Sequence, residues 1–322
     1  MYQKNEQEIM SNWSDNLDSI VISVCCTTYN HESYITEAID GFLMQETDFP
    51  FEILIRDDCS TDKTASIVKE YVNKYPNLIR AVFEEENTYS QGVKPMPQLY
   101  KIAKGKYIAL CEGDDYWTDP YKLQKQVEFL ENNIDYSGVA HQCCIIDSNG
   151  KIKKKSYRKG IKEILTMKDF LSEPPFQTAT FVFRSSYMKK FPSVYKFYSG
   201  DKFLMLFSSI FGKIKYYPQA MSHYRQHANG VSSGVDYKKF VDDLNIPYII
   251  YSIDKAYPKY KHLAYLHKTM LIFPNNTTYW IFIKHAVLAI LYSFSYFPNN
   301  YAFFKGVVYH ILLRTKCQIL KD

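Results

Sequence analysis

"YIALCEGDDYWTDP", Tyr107 to Pro120, sets an apolar run directly against three carboxylates. Tyr107–Cys111 has the continuous apolar texture of a strand buried on both faces. Glu112, Asp114 and Asp115 follow at once, ahead of Tyr116 and Trp117. Carboxylates this close repel one another, and no Lys or Arg lies between Lys106 and Lys122 to relieve them. A cluster of this kind at a strand end suits a hard divalent cation, Mg2+ or Mn2+, whose open coordination positions accept phosphate oxygens. A solvated acidic turn is the plain alternative. It fits less well between a buried strand and two aromatic rings.

Towards the N-terminus the same pattern recurs. "IVISVCCTTYN" (20–30) reads as a buried strand, and Ile35, Ala38, Ile39, Phe42 and Leu43 then recur at helical spacing. "FEILIRDDCSTD" (51–62) is a second strand, ending on Asp57 and Asp58. A helix over 63–75 carries Ile67, Val68, Tyr71, Val72 and Tyr75 on one side, with Pro76 past its end. A strand at 79–85, a helix around 98–103 and the strand before Glu112 complete the alternation. Alternating strands and helices predict an α/β fold, a mostly parallel sheet with helices on its faces. Ligands of such sheets collect beyond the carboxyl ends of the strands. Three polar clusters end strands here: Thr27/Tyr29/Asn30, Asp57/Asp58 and Glu112/Asp114/Asp115. They can converge on one crevice. Ser60 or Thr61 reads as the N-cap of a helix from Lys63, leaving Asp58 to accept from a ribose hydroxyl or a base N–H. Thr27, Tyr29 and Asn30 offer a hydroxyl and a ring to a nucleotide base, or serve simple loop chemistry.

Downstream, 122–133 reads as a helix and Asn149-Gly150 as a hairpin turn, with the Lys-rich 151–160 a solvated arm. "QTATFVFRSS" (177–186) is strand-like, and a short helix opens on Asp201 behind Gly200. "YYPQAMSHYRQHANGVSSG" (216–234) reads as a path out of the domain. The expected division is an N-terminal arm (1–18), an α/β domain (19–235) and a basic, aromatic, mostly helical region (236–322). Within the last, Tyr279–Phe297 is barely long enough to span a bilayer and contains Lys284 and His285. It reads as a spanning, an interfacial or an ordinary packed helix. The basic aromatic mix of 236–322 suits peripheral contact with an anionic membrane surface, and equally a plain helical subdomain.

The chain has 322 residues, 46% of them hydrophobic, which is ample for a core. A net charge of +5 is too small to argue for nucleic acid as a partner. Seven cysteines include two adjacent pairs, Cys25-Cys26 and Cys143-Cys144, and no CxxC spacing. Strand neighbours point to opposite faces, so reduced thiols in a cytosolic protein are expected. The first 19 residues lack the apolar segment of a signal peptide, which places the active face in the cytoplasm.

"VISVCCTTYNHESYITEAIDGFLMQ", "FEILIRDDCSTDKT" and "AKGKYIALCEGDDYW", in that order, resemble the family 2 glycosyltransferases, which have the GT-A fold. The likeness runs from about Val21 to Ser233. It implies that Thr27, Tyr29 and Asp58, with Asn30 beside them, line the site for the nucleotide of a nucleotide-sugar donor, a UDP-sugar first among them. The family's acidic motif matches Glu112-Gly113-Asp114-Asp115, with Glu112 where Asp is frequent. Asp114 would meet the ribose or the metal, and Asp115 would coordinate Mn2+ or Mg2+ directly. Asp201, in "SGDKF", stands in the place of the catalytic base, and a helix N-terminal carboxylate is its structural alternative. His227, in "YRQHANGVS", falls where many members carry a His near the diphosphate, sometimes as a metal ligand; a loop histidine facing water is the other reading. Tyr89 to Leu99 departs from the family pattern, which often has an Arg and an Asn there. The implied activity is inverting, metal-dependent transfer of a sugar, a hexose above all, to a hydroxyl of a glycan or lipid-linked acceptor in surface polysaccharide or lipopolysaccharide assembly. A nucleotidyltransferase would want a Gly-rich, Lys-bearing phosphate loop after the first strand, which "CCTTYNHES" lacks. A non-catalytic carbohydrate- or nucleotide-binding scaffold would not need every acidic position filled.

Overall fold

The structure is a computed structural model that describes residues 3–14, 19–192, 197–228, 230, 237–272, 278–294 and 301–319. It divides into two compact units, the first formed by Met1–Thr166, Pro175–Phe191 and Phe211–Ala228. The second takes Met167–Pro174, Pro192–Ile210 and Asn229–Asp322, so the helix bearing Asp201 clusters with the C-terminal helices.

The first unit is built on β1 (Ile22–Thr28), β2 (Phe51–Asp57), β3 (Ile79–Phe83), β4 (Tyr107–Leu110) and β5 (Tyr116–Trp117). Five more strands follow: β6 (Tyr136–Asp147), β7 (Ile152–Lys154), β8 (Ile164–Leu165), β9 (Val182–Arg184) and β10 (Lys213–Gln226). Its helices are α1 (Glu6–Met10), α2 (Ile35–Leu43), α3 (Thr64–Lys74), α4 (Pro95–Ile102) and α5 (Lys122–Asn132). The sheet order is β3-β2-β1-β4-β9-β6-β10-β5. β3, β2, β1 and β4 are parallel, as the alternation of strands and helices requires. β9 is antiparallel to both β4 and β6, so the sheet is mixed.

β1, β2 and β4 are buried almost throughout, and Ile35, Ala38, Ile39, Phe42 and Leu43 of α2 are all withdrawn from water. Each such large side chain contributes roughly 1.5–3 kcal/mol. Six cysteines, 25, 26, 59, 111, 143 and 144, are free thiols, most of them buried. Asn149-Gly150 closes the turn between β6 and β7, with Gly150 in the left-handed region at φ 81°.

Two readings need correction. The segment at 216–234 does not simply lead away: through Gln226 it belongs to the 14-residue β10, which pairs in parallel with β6. Pro218 interrupts its alternation, and the register shifts around Ala220, which is how a strand tolerates a residue without an N–H. The helix after β2 starts at Thr64, and neither Ser60 nor Thr61 caps it. Asp62 instead accepts from the Thr64 amide and hydroxyl.

The second unit holds α6 (Gly200–Ile210), α7 (Tyr237–Val241), α8 (Ile246–Ile253), α9 (Lys259–Met270), α10 (Tyr279–Phe294) and α11 (Tyr301–Ile319). Among the described residues, no helix is long and apolar enough to cross a membrane.

In the first unit, Lys122 at the start of α5 is fully buried, its ammonium 3.9 Å from the centre of the Trp117 ring and 2.8 Å from Gln126 Oε1. Burial pushes this amine down from 10.5 to about 7. The unfolded chain keeps it protonated to about pH 10.5, so stability rises with pH between about 7 and 10.5. Lys122→Met is therefore expected to stabilise the protein at pH 7 by about 2 kcal/mol, the deprotonation penalty less what Trp117 returns. Urea melts should show that gap closing as pH approaches 10.5; a gap that is constant with pH would refute this account.

Candidate active site

The carboxyl ends of β1, β2 and β4 are stitched together by their own loops. The amides of Cys111 and Gly113 donate to Cys25 O and Thr27 O, and that of Asp58 donates to Thr28 O. Asn30, with φ 54°, accepts the Thr61 amide on its side chain and donates its own amide to Ser60 Oγ. Among the described residues Cys59, with φ 62°, is the other non-glycine residue in the left-handed region, so both of these turns flank this edge. Gly113 lies so close to β1 that an added Cβ would sit 2.7 Å from Thr28 Oγ1.

Asp114 stands at the centre. His227 Nε2 lies 3.0 Å and His31 Nε2 3.9 Å from its Oδ2. Burial opposes ionisation of Asp114, but the His227 hydrogen bond and the charges of both imidazoles outweigh it and hold the carboxyl below its ordinary range. Burial lowers His31, against the pull of Asp114. One ligand atom from each of His31, Asp114 and His227 lies within 4.8 Å of the others, a set that could hold a metal ion. Two imidazole nitrogens and one carboxylate oxygen suit Mn2+ and its softer neighbours better than Mg2+, which prefers oxygen and retained water.

Asp115 takes another position. It is buried, and its Oδ1 accepts the Arg225 amide at 2.7 Å. Burial, then the charges of Asp114 and Glu112, push its carboxyl well above the ordinary range. Arg225 is the residue that binds this turn together. Its Nε donates to Asp114 O, and its two terminal nitrogens reach Glu37 Oε2 at 2.5 Å and the carbonyls of Asp147 and Ser148. Its guanidinium lies 4.5 Å from the Tyr34 ring centre. The antiparallel pairing of His223 with Tyr116 sets the register that brings Arg225 to the acidic turn.

Thr27 and the exposed Tyr29 ring occupy the end of β1 and the loop beyond it. Both oxygens of the buried Asp58 are engaged, Oδ1 by the amide and hydroxyl of Thr88 and Oδ2 by the Tyr89 amide. Glu112 is half-buried, and its carbonyl accepts the Asp115 amide. Asp201 lies in the first turn of α6, exposed, in the second unit. That turn is anchored by the buried Asp243, which accepts from the amides of Tyr198 and Ser199 and from the Ser199 hydroxyl. Sequence reasoning missed His31 and Arg225. His31 carried a local signal, a histidine directly after a strand-end loop, whereas Arg225 carried none.

The sequence matches the model of Glycosyl transferase family 2 over residues 23–210, more than half of the chain. The chain belongs to that family. An uncharacterised Mycobacterium tuberculosis protein is 36% identical over 224 residues, 68% of this chain and 63% of that protein. The chain thus spans just under two thirds of the length of the first curated relatives it matches. Staphylococcus aureus TarS, solved with UDP-GlcNAc, superposes with a TM-score of 0.63 at 21% identity, covering 85% of this chain and 81% of that one. A Pyrobaculum calidifontis mannosyltransferase, solved with GDP-Man and Mn2+, gives 0.53 at 16% identity over 96% and 83% of the chains. These superpositions show the GT-A fold, with a helical C-terminal part.

For this member of family 2 the candidate ligand set is open to direct measurement. Asp114→Asn and His31→Ala should each weaken Mn2+ binding about tenfold or more, read by electron paramagnetic resonance. Unchanged Mn2+ affinity in both variants would remove the His–Asp–His assignment.

Proposed function

We propose that this protein is a metal-dependent, inverting glycosyltransferase that moves a hexose from a nucleotide sugar, a UDP-sugar in the first instance, to a hydroxyl of a glycan or lipid-linked acceptor. The observation that carries the reading is the meeting of Asp114 with His31 and His227 beyond the ends of β1 and β4. That edge is where an open α/β sheet receives a nucleotide. TarS, a poly(ribitol-phosphate) β-N-acetylglucosaminyltransferase, is 40% identical over 97 residues, 29% of this chain, which supports a polymeric acceptor. The work would be done at the cytoplasmic face of the membrane, with residues 236–322 in peripheral contact.

In this reading the Tyr29 ring and Thr27 receive the base, and Asn30 keeps their loop against Thr61. Asp58 acts through Thr88 and Tyr89, holding them at the rim of the nucleotide pocket. Glu112 closes the acidic turn through its carbonyl. Asp114, His31 and His227 would hold Mn2+ or Mg2+, with Asp115 keeping the turn in place through Arg225. A divalent ion there supplies Lewis-acid neutralisation of a leaving diphosphate. Asp201 takes the proton of the acceptor hydroxyl as its oxygen bonds to the anomeric carbon. The bond from that carbon to the diphosphate oxygen breaks, and the nucleoside diphosphate leaves with the electron pair. Attack opposite the leaving group inverts the anomeric centre.

Release of nucleoside diphosphate from a panel of sugar nucleotides, with and without Mn2+, tests the reading. A turnover that requires Mn2+ supports it, and absence of release from every donor would favour a binding scaffold. Asp201→Asn should lower transfer by about 10²–10⁴-fold while leaving donor affinity unchanged. Transfer near the wild-type rate would exclude Asp201 as the base.

A further inference from the structure

α10 packs Phe282 inward and also leaves several large apolar side chains in water. The face turned into the second unit carries Phe282, His285, Ala286, Ala289 and Ser293. Beyond Tyr279 at its start, the exposed positions are Trp280, Lys284, Val287, Leu291 and Phe294. Their spacing, alternately four and three residues, lays them in one stripe along the helix. Trp280 is 78% and Phe294 62% exposed. On α11, Phe303 and Val307 turn inward, while Lys305, Val308, Tyr309 and Leu312 are exposed. A surface helix facing only water carries polar side chains at such outer positions.

Charge decides what meets this surface. From 255 to 321 the sequence contains no Asp or Glu and nine Lys or Arg. A two-fold pairing of copies would bring the stripe against itself, Lys284 included, with no carboxylate in the region to offset it. An anionic bilayer supplies the missing charge. Its headgroup layer also accommodates Trp and Tyr rings while aliphatic side chains enter the acyl boundary. We propose that the exposed stripe of α10, with Lys305, Tyr309 and Leu312 of α11, is a docking surface for an anionic lipid bilayer, on which the protein lies without spanning it. This gives the membrane contact proposed above its surface. It stands apart from the assignment of the active site, because binding to vesicles needs no turnover.

The experiment uses the full chain with vesicles of phosphatidylcholine alone or mixed with phosphatidylglycerol, read by co-sedimentation and tryptophan emission. The expected result is binding to the mixed vesicles roughly tenfold tighter than to phosphatidylcholine, weakened by salt, with blue-shifted emission. The double variant Trp280→Ser/Leu291→Ser should lose that binding about tenfold or more. Lys284→Glu/Lys305→Glu should lose the preference for phosphatidylglycerol. Wild-type circular dichroism and donor affinity in both variants show that they remain folded. Equal binding of wild type and variants overturns the proposal. So does a wild-type dimer in sedimentation velocity that the Trp280/Leu291 variant abolishes while neither protein binds vesicles.

Discussion

The crowded acidic turn after β4 is held in shape by one buried residue, Arg225. Arg225 donates its amide to the Asp115 carboxyl, its Nε to the Asp114 backbone carbonyl and a terminal nitrogen to the Glu37 carboxylate, so one residue ties the turn to α2. Removing any partner from such a buried network leaves another without compensation, at a cost of several kcal/mol in typical cases. The placement of Asp115 follows: its carboxylate faces inward, and Asp114 alone of the pair is left to meet the two histidines.

The remaining parts of the edge are held by equally specific pairings. Asn30 and Thr61 join the loops after β1 and β2, and Asp58 draws the 88–89 loop onto β2. These are hydrogen bonds between loops some 30 residues apart in sequence. Beside them the Tyr29 ring is exposed, while His31, Asp114 and His227 lie together, largely withdrawn from water. Under the proposed function these bonds would position the donor, since misplacement by about an ångström can cost a hundredfold in rate.

How much of this was legible depended on the range of the interaction. Hydrophobic periodicity is local, so α2 and the strands on either side of it could be read directly from Ile35, Ala38, Ile39, Phe42 and their neighbours. The strand-end positions of the acidic clusters could be read for the same reason. β10 was hidden because Pro218 and its bulges break the alternation that marks a strand. The capping role passed from Ser60 to Asp62 because Ser60 is committed to Asp57 and to the Asn30 amide, contacts that only the folded edge creates. Arg225 lies 110 residues from Asp115, and no spacing rule connects them.

The two units also differ in how they treat charge, which the chain's net +5 conceals. Around β1, β2 and β4 the protein gathers carboxylates and neutralises them with Arg225, imidazoles and backbone amides. In the helices from α9 onward it carries no carboxylate at all, and its cations stand beside exposed aromatic and aliphatic side chains. Uniform solvation would favour mixing both signs on each surface, because interspersed charge keeps a protein soluble. Segregation costs self-repulsion within each region, which an outside partner of opposite sign relieves. A divalent cation would do so at one surface and acidic lipid headgroups at the other. The two proposals are thus the same electrostatic argument applied to charges of opposite sign.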